Sequence, residues 1–509
     1  MFPGALSCRV LFSFRMLSRR TGLTSQSAAA SPRLVPTPLS KARRKISARN
    51  VILAVIALPI VLSGLILLAG LCLYRAQHAA ERSKALASTT QRSSPSIIAI
   101  DDKDVKYHVI FSTGCSAYQD WQSFVFFHRA WVVKQPGIVT RVVSGCNPED
   151  QATLQSFFDS MILPMAPERF RIHFTPDFSR VKPGTNYKYF NKPFGTKHWL
   201  ESALGFPDNP IDEDSIVILM DPDQLILRPF RDNDFSNSRW MFMAKSSTPR
   251  TRVAHGAPMG QLYGFGLQWK DKVDITKVAP ANELPSPIET MSNLDARAGY
   301  GVGPPYIATA RDMYTIASKW SEFAPAVHDQ YPHLLAEMFA YCLAAAHLKL
   351  SHQTAASFMI SETKMGNGEG WNYIADIPDE QLCRRDLDDA SWPNLLHYCQ
   401  RYAWGPYFFG KNRFPKDFLS CDNPLLAEPP TDSVSFLSQF NHPQFPDGSH
   451  KSFDARQAKN NVFILCHMIP AINEAGAYFK QQQCGDGANL NKTLVFNKNM
   501  GNEFQLFKG

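Results

Sequence analysis

The first fifty residues of this 509-residue chain contain no aspartate or glutamate, although they carry ten of its 53 lysine and arginine residues. From Arg75 onward the chain has 43 basic and 45 acidic residues, so the formal net charge of +8 comes from the N-terminal segment. The large C-terminal body is nearly neutral, and its composition gives no support for nucleic-acid binding. A hydrophobic content of 44% with 12% aromatic residues also excludes disorder over the whole chain.

The next segment, residues 51–74, lacks charge of either sign and is almost wholly apolar. As a helix, its 24 residues can cross a hydrocarbon core of roughly 30 Å, and Pro59 is tolerated in a membrane span. Five positive charges in residues 41–49 indicate that the short N-terminus stays in the cytosol. We therefore predict a single-pass type II anchor behind a cytosolic tail, residues 1–50. The alternative is an organelle transit peptide in the first 35 residues.

No pair among the ten cysteines has CxxC spacing, which argues against a zinc ribbon or a thioredoxin-like motif. Eight of them lie beyond the predicted span, an even number that is compatible with several disulfides in an oxidising compartment, in connectivities that stay open. One sequon, Asn491-Lys492-Thr493, is a weak signal for glycosylation. These features favour a lumenal body. The eight cysteines are Cys115, Cys146, Cys342, Cys383, Cys399, Cys421, Cys466 and Cys484.

Residues 75–106 are polar and rich in Ser and Thr, which is typical of a stem that holds a folded domain away from the membrane. Beyond the stem, apolar segments with strand and helix periodicity alternate, which predicts an α/β domain with a mostly parallel sheet flanked by helices. We assign residues 107–430 to this domain and residues 431–509 to a C-terminal extension of it. The predicted strands are 107–112, 138–144, 170–174 and 215–220, and the predicted helices are 120–135, one that Asn147 caps and Pro148 begins, and 193–203.

The strand with the longest apolar run, residues 215–220 (SIVILM), is followed at once by Asp221-Pro222-Asp223-Gln224. In an extended backbone, residues two apart point to the same side, so the two carboxylates are expected to converge. They lie at the carboxyl end of a strand, where α/β proteins bind ligands, and carboxylate oxygens suit Mn²⁺ or Mg²⁺. Such a motif alone is more commonly a solvated turn. After a buried strand in a lumenal chain, it predicts a metal site that neutralises a departing nucleotide diphosphate.

This motif and its surroundings resemble Golgi glycosyltransferases of the GT-A fold, specifically the hydroxyproline O-arabinosyltransferase and peptidyl-serine α-galactosyltransferase group. The DxD motif is general to that fold, whereas the NKPxxxxHWL and HYC segments are more specific. The resemblance covers residues 108–402, and residues beyond 430 are less similar. The segments that carry it are HVIFSTGCSAYQDWQ (108–122), YKYFNKPFGTKHWL (187–200), ILMDPDQLILRPF (218–230), VGPPYIATARDM (302–313) with AEMFAYCLAAA (336–346), and LLHYCQRY (395–402).

The resemblance implies a Rossmann-like GT-A domain that transfers arabinofuranose or galactose from a UDP-sugar, with Mn²⁺ or Mg²⁺, to hydroxyproline or serine of secreted or cell-wall proteins. It also implies retention of configuration, usually by front-face displacement, in which the enzyme positions both partners and stabilises charge. The alternatives are a GT-A transferase with another donor or acceptor, and a transferase-like lectin or scaffold that has lost turnover.

The resemblance also implies roles for single residues. We expect Asp223 to bind the metal, Asp221 to bind the metal or the donor ribose, and His397 to complete the metal shell, since many GT-A enzymes take a late histidine for this purpose. Without the resemblance, His397 is more commonly a core histidine between Leu396 and Tyr398.

Three further residues are candidates for donor or acceptor contacts. Asn191 and Lys192 precede a predicted helix, and a lysine beside a helix N-terminus suits a diphosphate. Glu337 begins an apolar helix, where we expect it to orient the acceptor or to support developing positive charge; the alternative is that it only favours the helix dipole. His198 and Trp199 are expected to pack rather than to react.

Two glycine-rich runs do not fit the dinucleotide-binding fingerprint. In GVGPPY (301–306) the prolines prevent the opening of a helix, and we interpret the run as a pocket wall. GNGEG (366–370) has no preceding strand.

Overall fold

The computed structural model describes residues 106–231, 250, 252–364, 369–385, 392–405, 407–439, 453–496 and 504–506. The predicted cytosolic tail, the predicted membrane span and the predicted stem up to residue 105 lie outside these residues. The strands in chain order are β1 (Tyr107–Gly114), β2 (Ile138–Ser144), β3 (Phe170–Thr175), β4 (Ile216–Met220), β5 (Gln224–Ile226), β6 (Met259–Leu262), β7 (Val302–Thr309), β8 (Gln353–Ala355), β9 (Met359–Ile360), β10 (Leu395–His397), β11 (Arg401–Trp404), β12 (Tyr407–Gly410), β13 (Leu425–Leu426), β14 (Lys492–Phe496) and β15 (Phe504–Leu506).

The helices lie between and after these strands. They are α1 (Ala117–Val132), α2 (Pro148–Phe157), α3 (Asn191–Leu204), α4 (Gln268–Asp271), α5 (Pro287–Thr290), α6 (Asn293–Gly299), α7 (Ala310–Gln330), α8 (Ala336–His347), α9 (Trp371–Ala375), α10 (Ser433–Gln439) and α11 (Ala455–Gln483).

A seven-stranded sheet in the order β3-β2-β1-β4-β7-β6-β8 forms the centre of the fold. β1 pairs in parallel with β2 and β4, β2 pairs in parallel with β3, and β6 pairs in parallel with β8. β7 is antiparallel to both of its neighbours, β4 and β6. The predicted α/β fold with a mostly parallel sheet is therefore confirmed.

Both faces of this sheet are covered, as the continuous apolar run of β4 predicted. Alternate residues of a strand point to opposite faces, and the buried side chains of β4 accordingly belong to two separate cores. Ile216, Ile218 and Met220 pack with apolar residues of α1 and α11. Val217 and Leu219 pack on the other face with apolar residues of α3, α7 and α8.

The first helix ends earlier than its apolar periodicity predicted. It spans Ala117–Val132 rather than 120–135, and the chain then turns through Lys134, which has a positive φ of 54°. Gly137 follows with φ 82°, and a Cβ there would lie 2.2 Å from the Tyr107 carbonyl oxygen. Glycine is required at this position because both the backbone conformation and the close approach to β1 exclude a side chain.

The second helix begins where its capping residues predicted. The Asn147 side chain accepts a hydrogen bond of 2.8 Å from the Asp150 amide, and Pro148 occupies the first helical position. Leu154, Phe158 and Met161 on its apolar face are buried. The helix does not stop at Phe157 but continues into a π-helical turn over Phe158–Ile162.

The GVGPPY run forms most of β7, a fully buried central strand, and its interpretation as a pocket wall stays a prediction. Proline is disfavoured in a central strand because it cannot donate to the ladder. Here the register shifts: Tyr306 pairs with Gly260, whereas Gly303 pairs with Gln261. The two prolines lie within this irregularity, where ladder hydrogen bonds are already interrupted.

The C-terminal extension is part of the same core as the sheet. α11 is 29 residues long, and its Phe479 ring packs edge-to-face on Phe124 of α1, with 5.7 Å between the ring centroids. Among the described residues it is the one helix long and apolar enough to cross a membrane. Because 83% of its most apolar 18-residue stretch is buried inside the protein, we interpret it as a core helix.

Six of the eight cysteines beyond residue 74 form disulfides. The pairs are Cys115–Cys146, Cys383–Cys466 and Cys421–Cys484. The last two attach α11 to the preceding segments, whereas Cys342 and Cys399 are not disulfide-bonded.

We predict that the pair of substitutions Cys421→Ser and Cys484→Ser lowers the free energy of unfolding by about 2–4 kcal/mol, because it releases a closed loop of 63 residues in the unfolded chain. Denaturant unfolding of the double variant and of wild type measures the difference. Cys8→Ser, in the predicted cytosolic tail, is the control and should leave the midpoint unchanged. Equal midpoints for wild type and the double variant would contradict this prediction.

Candidate active site at the end of the buried strand

Asp221 and Asp223 flank a tight turn between β4 and β5. The Gln224 amide donates to the Asp221 carbonyl at 3.1 Å, and the Gln224 side-chain oxygen accepts from the Asp221 amide at 3.0 Å. The Gln224 side-chain nitrogen donates to the Pro304 carbonyl of β7 at 2.9 Å. The predicted convergence of the two carboxylates is therefore found, but a turn produces it and not an extended backbone.

His397 is brought to this turn by strand pairing. β10 is antiparallel to β5, and His397 lies opposite Gln224 in the register. The Tyr398 amide donates to the Asp223 carbonyl at 3.0 Å, which continues the ladder by one residue. The backbone at His397 is also held by Tyr402, whose hydroxyl donates to the His397 carbonyl at 2.9 Å.

Three possible ligand atoms, one each from Asp221, Asp223 and His397, lie within 4.8 Å of one another. His397 Nε2 is 3.3 Å from Asp223 Oδ1. Asp223 and His397 are buried and Asp221 is half-buried. Two carboxylates and one imidazole form a donor set that fits Mn²⁺, and the sequence-predicted ligands therefore have the proximity that a divalent ion requires.

Buried charge dominates the electrostatics of these groups. Burial alone would raise the pKa of Asp223, but Lys411 and His397 hold that pKa well below its usual range. Burial would lower the pKa of His397, and the Asp223 carboxylate more than offsets it, so the imidazole pKa is raised. The site thus keeps Asp223 ionised, as the binding of a cation requires.

Lys411 was not identified from the sequence. It begins a 3-10 turn directly after β12, and its Nζ lies 2.5 Å from Asp223 Oδ2. Asp223 raises the pKa of Lys411 despite burial, so this amine stays an ammonium. Its sequence context, FGKNRF, is typical of an exposed basic loop, so the residues around Lys411 give no indication of a buried ion pair.

Lys192 joins the cluster from the N-terminal turn of α3. Its Nζ lies 2.6 Å from Asp221 Oδ1 and 3.0 Å from Glu337 Oε1. The two carboxylates raise the pKa of Lys192 against the effect of burial. The Lys192 ammonium group therefore lies beside the acidic pair. Its contacts here are with carboxylates, and the predicted contact with a diphosphate stays a prediction.

Glu337, in the first turn of α8, is 3% exposed and faces the cluster. Burial raises its pKa to about 7, and the Lys192 ammonium opposes the increase. Its second oxygen, Oε2, has no hydrogen-bond partner. A buried polar atom without a partner is costly, so this oxygen is available to a ligand.

The remaining predicted residues have structural contacts. The Asn191 side-chain oxygen accepts from the Phe178 amide at 2.7 Å, which attaches α3 to the loop after β3. Trp199 is buried, and the Nδ1 atom of His198 lies 3.0 Å from the Nε2 atom of His173. Packing by His198 and Trp199 is confirmed, whereas a donor contact of Asn191 stays a prediction.

Two tyrosines lie at the edge of the cluster. Burial raises the pKa of Tyr118, an increase that the Lys411 charge opposes and the Asp223 charge reinforces. Tyr189 is 36% exposed. Burial raises its pKa, an increase that the Lys411 charge opposes and the Glu337 charge reinforces. These rings form an aromatic border beside charged groups that are otherwise buried.

Two curated proteins are similar to this chain. A peptidyl serine alpha-galactosyltransferase of Arabidopsis thaliana is 26% identical over 414 residues, which cover 78% of this chain and 41% of that protein. A peptidyl serine alpha-galactosyltransferase of Chlamydomonas reinhardtii is 24% identical over 345 residues, which cover 63% of this chain and 38% of that protein. The chain thus spans about two fifths of the length of these relatives.

Among solved structures, galactosyltransferase LgtC in complex with donor and acceptor sugar analogues aligns with 58% of this chain and 87% of its own, at 11% identity and a TM-score of 0.30. No protein-family model matches the chain. The similarity to two proteins of one name confirms the predicted resemblance to the peptidyl serine alpha-galactosyltransferases, which are glycosyltransferases.

Proposed function

We propose that this protein is a glycosyltransferase that moves a galactosyl group from a UDP-sugar to serine side chains of a protein acceptor, with a divalent cation, Mn²⁺ or Mg²⁺. The observation that carries the proposal is the meeting of Asp221, Asp223 and His397 at the carboxyl end of β4, within 4.8 Å of one another. The names of the two curated relatives support the sugar and the acceptor.

Asp221, Asp223 and His397 are the residues that would hold the cation. When bound, a divalent ion neutralises the negative charge that grows on a departing diphosphate. The chain places Lys192 2.6 Å from Asp221 and Lys411 2.5 Å from Asp223. Ammonium groups that are already desolvated bind phosphate oxygens more strongly than solvated ones do, so both lysines suit the diphosphate.

Glu337 is the group that the proposal assigns to the acceptor side. Its unpartnered Oε2 can accept a hydrogen bond from an incoming hydroxyl, or can face positive charge that develops on the sugar ring. Lys192 contacts the other oxygen and thereby fixes the carboxyl group in place. Either role requires the ionised carboxylate.

The compartment is a further part of the proposal. Three disulfides in the described residues support an oxidising environment. The uncharged segment 51–74 and the basic tail before it support a type II anchor. We therefore propose a Golgi or ER membrane enzyme with a lumenal active site.

Donor and acceptor are tested by a screen of the full-length protein in detergent. We expect transfer from UDP-galactose to serine peptides that depends on added Mn²⁺, with less or none from UDP-arabinofuranose or to hydroxyproline peptides. Product mass and retention of configuration are measured by mass spectrometry and NMR. Asp223→Asn should reduce transfer at least about 100-fold, because it removes a metal ligand and a buried charge.

The matched control for Asp223→Asn is Asp212→Asn, at a half-exposed carboxylate that pairs with Lys106 at 2.8 Å. It should retain transfer. Undiminished transfer in Asp223→Asn would contradict the proposed site. Absence of transfer and of UDP-sugar hydrolysis in wild type would instead favour a transferase-like lectin or scaffold.

Glu337→Gln tests the assigned carboxylate through pH. Because burial raises the pKa of Glu337 to about 7, its ionised fraction grows as pH rises through neutrality. Wild-type kcat should therefore increase from about pH 6 to about pH 8, and Glu337→Gln should lose this dependence together with roughly 10- to 100-fold in kcat. A pH profile of the variant that runs parallel to that of wild type would remove Glu337 from the mechanism.

A further inference from the structure

Each carboxylate of the proposed metal site is already paired with a lysine. Lys192 lies 2.6 Å from Asp221 and Lys411 lies 2.5 Å from Asp223. Both lysine side chains are largely buried, at 12% and 21% exposed. Oxygens that face an ammonium group at these distances are not free to coordinate a metal ion with all of their lone pairs, so the lysines and the ion compete.

The charges of the cluster make this competition depend on the donor. Asp221, Asp223 and an ionised Glu337 carry three negative charges, and Lys192 and Lys411 carry two positive ones, so the cluster holds one net negative charge when His397 is neutral. A divalent ion alone would change this to one net positive charge in a buried space. A diphosphate that brings two negative charges with the ion restores the original balance.

The lysines also have alternative acceptors. Lys192 already contacts Glu337 at 3.0 Å, and Glu337 has a second oxygen without a partner, so Lys192 can leave Asp221 while it keeps one carboxylate. Lys411 lies beside the aromatic border, since the Tyr118 hydroxyl donates to the side-chain oxygen of Asn412, the next residue, at 3.0 Å. A phosphate group near that edge would give it a charged acceptor in place of Asp223.

We propose that Lys411 and Lys192 occupy the metal-binding carboxylates until a nucleotide diphosphate draws them away, so that the protein binds Mn²⁺ weakly alone and tightly together with UDP. This inference rests on the proposed function. Lys411, which was not identified from the sequence, thereby has a role in the order in which Mn²⁺ and UDP bind. Mn²⁺ is then retained when the donor is present, and the lysines keep the carboxylates paired when it is absent.

The test is calorimetric titration of Mn²⁺ into the full-length protein in detergent, with and without UDP. In wild type, UDP should raise Mn²⁺ affinity by about 10-fold or more, and by linkage Mn²⁺ should raise UDP affinity by the same factor. In Lys411→Met, Mn²⁺ affinity without UDP should rise about 10-fold and the enhancement by UDP should shrink. Lys411→Arg, which keeps the charge, should preserve the wild-type pattern.

Lys182→Met is the matched control, since Lys182 also forms an ion pair, with Asp329, but outside the cluster. It should behave as wild type. Thermal unfolding provides a second measurement in case Lys411→Met is unstable: Mn²⁺ without UDP should raise the Tm of this variant more than that of wild type.

Equal or weaker Mn²⁺ binding by Lys411→Met without UDP would overturn the inference, as would tight Mn²⁺ binding by wild type without UDP. These outcomes would leave the proposed transferase function intact. A wild-type protein that binds neither Mn²⁺ nor UDP would remove the proposed function and this inference together.

Discussion

Compensation of buried charge is the constraint on which the site depends. Three carboxylates, two ammonium groups and an imidazole share a largely desolvated space beside β4, where an unpaired charge is strongly destabilising. The chain meets this constraint by bringing cations from distant segments: Lys192 begins α3 and Lys411 follows β12. The fold therefore positions these lysines together with the acidic pair, because each buried carboxylate needs a nearby cation.

Much of the fold and part of the site were predictable from local sequence. The uninterrupted apolar run before Asp221 predicted a strand covered on both faces, and the Asn147 cap predicted the start of α2. The acidic pair was recognisable because it follows that strand directly. His397 was identified through the resemblance to known transferases, since nothing in its immediate surroundings distinguishes a ligand from a core histidine.

The rest of the site depends on long-range pairing, which local patterns do not record. Lys411 acquires its partner through the path of the chain after β10, and its own neighbours are basic and polar as in a solvated loop. Two prolines argued against a central strand at β7, yet a shift of register accommodates them. The turn at Asp221 is similar: its shape is set by the Gln224 side chain, which connects it to β7. In each case a tertiary contact overrode the local preference.

The burial of α11 against α1 bears on how the protein is made. The helix that completes the core around the first strands begins only at Ala455, whereas β1 begins at Tyr107, and two of the three disulfides require cysteines of the helix's segment. His397 and Lys411 are also synthesised long after Asp221. Since a core closes only when its members are all present, the sheet and the active site must wait until α11 has been synthesised. Nascent chains will therefore expose apolar strands in the compartment where they emerge, and we expect them to require chaperones that hold those strands apart until α11 arrives.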